Sequence, residues 1–569
     1  MASKFLRTAN RISIFRKGPK CISISIRKIG QWTQERIIKS PFASVDIPNC
    51  TVYDYIWQNL DKWPKKTMAV CARTGRGFTY EQAFNLSNSF AANLRKKFKI
   101  RDGDTVMIML PNIPDYPLIM MGVFEAGGVV STLNPVYTAY EVQRHLLMSD
   151  AKIIVTLPEK VEIVRQAFKI AKINIPIIVV KTNGDAAPEG TAVFNELSED
   201  IHVDKSCLKE VRRTANDVCF LPYSSGTTGL PKCVELTNRN IVANCEQMNE
   251  PLIRCNNDTT ANHQDVAIAV LPFFHIYAAT VIAFHKISQG LKIVTIDMYQ
   301  PDTFIQALEK FKVNVLYLAP PLIIMMANHP LGSAKTYQYL ENIISAAAPL
   351  APSDGERFLS KFQHKVRFGQ GYGLTETAPV AFSHKTLINS DKVGYAIPST
   401  EFRIVDDNLK NLGPNQMGEL LIKGPQVMKG YRENPEANAS SLINGGWFRT
   451  GDLSIADDQG IIKICDRQKE LIKVKGFQVP PAELEAILRE HSAVLDAAVI
   501  GIPHDTKGEI PKAFVAFRPG QSANVKDLCD FVADKVAPYK RIDDISILDS
   551  IPRSASGKIM RKELRSKYS

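Results

Sequence analysis

An α/β fold is predicted, with a large multi-layer N-terminal domain and a smaller α+β C-terminal domain, and three observations predict it. The chain is 569 residues long, enough for a sizeable core and for more than one domain. From about Tyr53 to Cys465, helix-period runs such as residues 80–98 alternate with short apolar strands such as 105–110, 153–156 and 177–180, as layered α/β proteins require. The polar segment Asp466-Arg-Gln-Lys469 then interrupts. The residues after it have a pattern of their own, with strands at 494–502 and 512–517 and an amphipathic helix at 525–536. The predicted divisions are a basic extension over 1–45, a large domain over 46–465, a hinge over 466–469 and the small domain over 470–569.

The extension carries much of the charge. Residues 1–40 hold ten basic side chains against one acid, Glu35, and so supply +9 of the net +12. A chain whose remaining residues carry only +3 is not a nucleic-acid binder by charge. The segment is rich in Arg and Ser, and Phe5, Ile12 and Phe15 are spaced for a basic amphipathic helix, the pattern of a mitochondrial transit peptide. A cytoplasmic protein with a basic arm, or one making peripheral membrane contact, is the alternative. The last residues, Ser566-Lys-Tyr-Ser569, are not the Ser-Lys-Leu peroxisomal address. Ten cysteines without a C-x-x-C pair argue for a reducing compartment and against a structural zinc site.

The most apolar stretch, residues 106–130, is interrupted by Pro111, Pro114, Asp115, Pro117 and Glu125, so it reads as a buried strand leading into a core helix, not a membrane span. Further on, Val218-Cys-Phe-Leu-Pro222 reads as a buried strand running into Tyr223-Ser-Ser-Gly-Thr-Thr-Gly-Leu-Pro-Lys232. Gly226 and Gly229 allow positive φ and close approach of backbone N–H groups to an anion. Ser224, Ser225, Thr227 and Thr228 add hydroxyl donors, and Lys232 adds a point charge. The spacing is not that of a G-x-x-x-x-G-K-[ST] P-loop, which disfavours an ordinary kinase or GTPase.

Five downstream segments have the composition of a nucleotide and acyl site. Leu271-Pro-Phe-Phe-His-Ile-Tyr-Ala278 sets His275 and Tyr277 among apolar residues. Gln370-Gly-Tyr-Gly-Leu-Thr-Glu-Thr377 places an aromatic between two glycines, suited to stacking on a purine, then a hydroxyl and a carboxylate. Trp447-Phe-Arg-Thr-Gly-Asp452 is expected to end a strand in an aspartate able to accept from both ribose hydroxyls. The segment 466–478 holds Arg467, Lys469, Lys473 and Lys475. Pro552-Arg-Ser-Ala-Ser-Gly-Lys558 is a turn carrying one lysine.

These six motifs, with the runs 418–431 and 469–485, resemble the AMP-forming acyl-CoA synthetases of the acyl-adenylate superfamily, in pattern near coumarate-CoA ligases and beetle luciferases. The resemblance covers residue 50 or so to the C-terminus. It implies that a hydrophobic carboxylic acid, fatty or aryl-alkenoic, attacks the α-phosphate of ATP to give acyl-AMP and pyrophosphate, after which CoA displaces AMP. On this pattern residues 224–232 hold the β- and γ-phosphates, Glu376 binds Mg²⁺, and Thr375 lies near the α-phosphate. Tyr372 stacks on adenine, with Gln370, Gly371 and Ala347 lining that pocket, and Asp452 and Arg467 grip the ribose. Lys558 serves adenylation, with His275 also a catalytic candidate. Tyr277, Val281, Ala347, Gly371, Pro379 and Val380 wall the acyl pocket. The C-terminal domain is mobile: Lys469 matches the hinge and also belongs with the nucleotide contacts. The 473–476 loop replaces Lys558 for the second step, with Lys473 catalytic and Lys475 and Gly476 on CoA.

Several positions depart from the pattern. Cys233 follows Lys232 where glycine is usual, Asn238 replaces a common histidine, and Ala346 replaces a glycine, which narrows the acyl pocket by a methyl. The turn at 391–399 is shorter, and Met298-Tyr-Gln300 lacks a common basic residue, which leaves the CoA phosphate contacts open. Two other classes share the motifs: a luciferase-like monooxygenase and a non-catalytic acyl or nucleotide binder. Intact Lys232, Glu376, Asp452 and Lys558 argue against the second.

Overall fold

The computed structural model describes residues 31–569 apart from 183–185, 225–230, 385–390, 475–476, 505–506, 556 and 569. The calls at Ser225, Gly226, Thr227, Thr228, Gly229, Lys475 and Gly476, and the transit-peptide pattern of residues 1–30, lie outside the described residues.

Two mainly parallel sheets form the centre of the large domain. One runs Tyr223–Ser224, Lys232–Thr237, Val218–Leu221, Val129–Thr132, Thr105–Met109, Ala151–Thr156, Ile177–Val179, Ala192–Val193. The other runs Tyr395–Ala396, Val380–His384, Arg367–Gly373, Asn342–Ser345, Val315–Leu318, Val266–Ala269, Lys292–Thr295, Thr67–Cys71, Gly77–Thr79. Buried on both faces, their parallel strands are near-continuous runs of apolar residues, as in Val-Leu-Tyr-Leu at 315–318. Between the sheets lie the helices Tyr80–Lys96 and Asp115–Glu125, which share the largest apolar core with Phe220, Phe273 and Phe284. Asp115–Glu125 is apolar on every side because it is covered on every side. Thr79 starts the other helix by accepting from the Gln82 N–H while the Gln82 side chain bonds back to the Thr79 N–H.

A third, antiparallel sheet contains Glu401–Val405, Met417–Lys423, Trp447–Ala456 and Ile462–Arg467. It corrects two expected boundaries. Gln31–Trp32 and Ile38–Lys39 are strands of this sheet, Ile38 pairing with Phe402 and 1% exposed, so residues from 31 belong to the fold and not to a free extension. At the other end Asp466 and Arg467 still pair with Leu453 and Asp452, so the polar connector is shorter than 466–469. The C-terminal sheet follows: Phe477–Val479, Ile472–Val474, Gly508–Phe517 and Val494–His504, with Asp544–Ile547 beside Gly508–Phe517. The helix Pro481–Glu490 and the shorter-than-expected Val525–Ala533 cover its core of Leu484, Leu488, Leu528 and Val532.

Candidate active site

The parallel strands Val266–Ala269, Val315–Leu318, Asn342–Ser345 and Arg367–Gly373 deliver their C-terminal ends to one place, where open α/β sheets bind ligands. There a pocket of ≈ 740 Å³, counting its open mouth, is lined by His275, Tyr277, Val281, Ala347, Gly371, Tyr372, Thr375, Pro379, Val380 and Lys558. All six expected acyl-wall residues are among them. Ala346 lines it too, and Gly371 packs so that an added Cβ would stand 3.8 Å from the Ala346 methyl. Sequence reasoning missed Met248, Ile253, Cys255, Lys286, Tyr317, Ile344 and Ser383, which also line it; they arrive from separate elements and share no motif.

Local backbone chemistry sets the walls. Gly373 is obligatory, because a Cβ there would meet the Pro379 carbonyl oxygen at 1.9 Å across the register shift between Arg367–Gly373 and Val380–His384. Ala347 has φ +76°, a left-handed turn that redirects the chain away from Ser345. The Gln370 side chain accepts from the Leu350 N–H at 3.2 Å and so braces that turn from below.

Around the mouth the polar residues connect. Tyr372 donates its hydroxyl to the Asp452 carboxylate, and Arg467 Nε lies 3.4 Å from the other Asp452 oxygen. Asp452 does not end its strand, as expected, but lies within Trp447–Ala456 at a register shift beside Ile462–Arg467. Burial raises its pKa against the opposing pull of Arg467. Glu376 is buried and accepts from the Tyr431 hydroxyl at 2.8 Å; the Lys232 ammonium lies over the same ring, 4.7 Å from its centroid. Ser224, paired with Lys232, keeps a buried hydroxyl with no partner among the described residues. An unspent donor, a cation and a carboxylate thus stand around the strand ends that flank residues 225–230. Among the described residues no three His, Cys, Asp or Glu side chains gather to hold a metal. One buried carboxylate near a cation and an unpartnered hydroxyl suits magnesium bound with a phosphate, since the ion takes few protein ligands and keeps phosphate oxygens and water.

Lys558 comes from the other domain. Its turn is closed by Ser554 N–H to Lys558 O at 2.8 Å and braced by Arg553, which pairs with Asp496 and donates to the Gly557 carbonyl at 2.8 Å. Gly557, at φ +83°, lies against Ala319 and Pro321 so closely that a Cβ would stand 3.0 Å from the Ala319 methyl. Burial and the neighbouring Arg467 lower the Lys558 pKa, opposed by Asp452, Glu376 and Glu470. The cation in turn combines with burial to hold His275 down to about 3. The imidazole is therefore neutral at pH 7; its Nδ1 accepts from the Tyr277 N–H at 3.3 Å, which leaves the Nε2–H as donor. Lys473 is exposed on Ile472–Val474 and does not line the pocket in this arrangement, in which the Lys558 loop is turned inward. Lys469 does not line the pocket either. Asn238, in place of histidine, accepts from the Val52 N–H at 2.9 Å and is structural.

A model of the AMP-binding enzymes matches residues 56–432, and that of the AMP-binding enzyme C-terminal domain matches 483–558. The chain belongs to the AMP-binding enzyme family. Within the acyl-adenylate superfamily it is 36% identical to 4-coumarate--CoA ligase 1 of Petroselinum crispum over 543 residues, 94% of this chain and 97% of that protein. It is likewise 36% identical to 4-coumarate--CoA ligase 2 of Nicotiana tabacum over 540 residues, 93% and 97% of the two chains. ATP-bound MatB from Rhodopseudomonas palustris superposes with a TM-score of 0.80 at 25% identity, over 92% of this chain and 99% of its own. Apo MatB gives 0.71 over the same shares. This AMP-binding enzyme thus has the large and small α/β domains of its structural relatives. Among its described residues no helix is long and apolar enough to cross a membrane.

Proposed function

We propose that this AMP-binding enzyme is an ATP-dependent acid–CoA ligase whose acid is an aryl-alkenoic or similarly hydrophobic carboxylic acid. One observation carries the reading: Lys558 of the small domain is seated in a pocket of the large domain that also holds His275, Tyr372 and Thr375, with Asp452 and Glu376 at its rim. In the first step an acid carboxylate oxygen bonds to the α-phosphorus of ATP and the bond to pyrophosphate breaks. In the second the CoA sulfur bonds to the acyl carbon, the bond to AMP breaks and the thiol proton leaves. Two anions must meet in the first step, so fixed positive charge and oriented donors are the main need. Lys558 supplies charge where acid and α-phosphate meet, Lys232 and Ser224 face the phosphates, and Asp452 with Arg467 faces the ribose. Magnesium, when bound at Glu376, neutralises phosphate charge. Apolar walls from Val281, Pro379 and Val380 suit a hydrophobic acid. The 4-coumarate specificity of its relatives favours an aryl-alkenoic acid over a fatty one.

The second step is assigned to a rotated small domain that brings Lys473, Lys475 and Gly476 to the pocket, with Lys469 at the pivot. The better superposition on the ATP-bound than on the apo relative supports an adenylation-ready arrangement here. Purified protein given ATP, CoA and a panel of acids should release pyrophosphate with one class and form its thioester. Lys558→Ala should lose acyl-AMP formation yet still convert supplied acyl-AMP; equal loss of both steps would sink the assignment. Mitochondrial import is the proposal for residues 1–30, which carry eight basic side chains and no acid. Diffuse cytosolic signal from a 1–30 reporter fusion would refute it.

A further inference from the structure

Glu376 and Lys232, which the proposed function gives to magnesium and to the phosphates, meet on the side chain of Tyr431. That ring is buried, at 6% exposure. Its hydroxyl donates to Glu376 Oε1 at 2.8 Å, and the Lys232 ammonium lies over its face, 4.7 Å from the centroid. The backbone brings the three together. Gly430–Tyr431 pairs with Lys232–Thr237 so that Tyr431 stands opposite Val234, and Lys232, two residues before Val234, belongs to the same face of its strand. Three residues before Tyr431, the Met428 N–H donates to the Glu376 carbonyl at 2.8 Å, so one short segment holds Glu376 by backbone and side chain alike. Tyr431 is itself clamped. Its N–H donates to the Asn438 side-chain oxygen at 2.6 Å, and its carbonyl accepts from the Asn438 amide nitrogen at 2.9 Å.

A carboxylate and an ammonium that touch the same ring attract one another, and a direct pair would spend on each other the charges that MgATP needs. The phenol stands in the way: Glu376 takes its hydroxyl and Lys232 its face, and among the described residues no ion pair joins the two. We propose that Tyr431 is a positioning residue for adenylation, an aromatic spacer that holds the magnesium carboxylate and the phosphate cation apart and keeps each ready for MgATP. This inference rests on the ligase reading and adds to it the residue that sets the charges of the first step in place. An ionised carboxylate offers about four acceptor sites on two oxygens, so a hydroxyl bound to Oε1 fixes the group and leaves Oε2 for magnesium. The ring face attracts the ammonium through its quadrupole and offers it no anion, so a phosphate can draw the cation off without breaking an ion pair. Tyr431 thus acts through Glu376 and Lys232 and needs no contact with the reacting atoms.

Two substitutions separate the two contacts: Tyr431→Phe keeps the ring and removes the hydroxyl, whereas Tyr431→Leu removes both. The measurement is calorimetric binding of α,β-methylene-ATP, which cannot release pyrophosphate, to the full chain without acid or CoA, once with magnesium and once in EDTA. Magnesium should tighten wild-type binding. In Tyr431→Phe that enhancement should fall by about tenfold or more, the usual cost of losing the group that orients a metal ligand, while binding in EDTA holds to within about twofold. In Tyr431→Leu binding in EDTA should weaken as well, because Lys232 loses its seat and turns to Glu376. In a Glu376→Gln background Tyr431→Phe should change the enhancement no further, since the hydroxyl works only through the carboxylate. An enhancement unchanged in Tyr431→Phe overturns the inference and leaves the ligase reading standing. Equal loss in Tyr431→Phe with and without magnesium also overturns it, as the mark of a residue that only props the fold. A wild type whose nucleotide binding ignores magnesium removes both the inference and the magnesium role of Glu376 in the ligase reading.

Discussion

His275 refuses a proton in the folded protein until about pH 3, while an unfolded chain takes one near 6.5. Its contribution to stability is therefore present above 6.5 and is lost as pH falls toward 3. His275→Gln should remove the loss of stability that this group causes on acidification, read as urea midpoints at pH 7, 6 and 5, and no histidine ionisation should appear in the adenylation rate. Gly371 invites a different substitution. An added Cβ would meet Ile344 Cγ2 and the Phe382 carbonyl oxygen at 3.6 Å, ordinary contact, so Gly371→Ala should fold normally and raise KM for bulky acids several-fold while sparing small ones. Steady-state kinetics on a size series checks it. Single residues were legible in the sequence where a motif announced them: Tyr372, Asp452 and Lys558 stand in short runs of unusual composition. Lys286 and Tyr317 were not, because an apolar helix and a buried strand look alike whether or not one face opens on a cavity.

Elements show the same division. The long alternating strands and the helix at Tyr80–Lys96 were visible because periodicity is local. The two-residue strands at 31–32 and 38–39 were hidden because 31–32 pairs with 38–39, and 38–39 joins the sheet only beside a partner more than 350 residues away. The connector was misjudged for a related reason: Asp466-Arg467 is polar, yet it pairs as a strand while the Asp466 carboxylate accepts from the Arg467 N–H at 2.8 Å and the Ala482 N–H at 3.0 Å, at the start of Pro481–Glu490. Burial raises this carboxyl to about 6 from 3.8, against Arg561 and those two bonds. The sign is opposite to that of His275: stability from Asp466 is fully present below about 3.8 and is lost as pH rises through 6, by roughly 3 kcal/mol at most. Between pH 4 and 6 the two groups partly cancel, so wild-type curves will look flatter than either single variant. Asp466→Asn should unmask the His275 slope, and a curve unchanged from wild type would refute the assigned shift.

At the scale of the molecule, contacts between the two domains hold the small one in this orientation. Arg489 lies 3.5 Å from the buried Asp354, Arg518 donates to Asn328 at 2.7 Å, and Gly557 rests on Ala319 and Pro321. Arg561 ties the connector to the small domain through Glu470 at 3.1 Å. Asp354→Asn weakens the 3.2 Å contact with Arg357 inside the large domain in every orientation, but leaves Arg489 free to find water when the domain swings, so the larger cost falls on this orientation. Acyl-AMP formation should drop tenfold or more while conversion of supplied acyl-AMP to thioester holds or rises. Parallel loss of both rates would mean the pair merely stabilises the fold.

The seat of Lys558 has one more consequence. Docked, the ammonium holds its proton less firmly than it does in water. By reciprocity, docking without substrate sheds protons, and alkaline conditions favour the docked domain. An acid anion beside Lys558 reverses that preference, so proton uptake on loading the pocket should grow as the pH is raised, visible at alkaline pH as a heat that changes with buffer ionisation enthalpy in titration calorimetry.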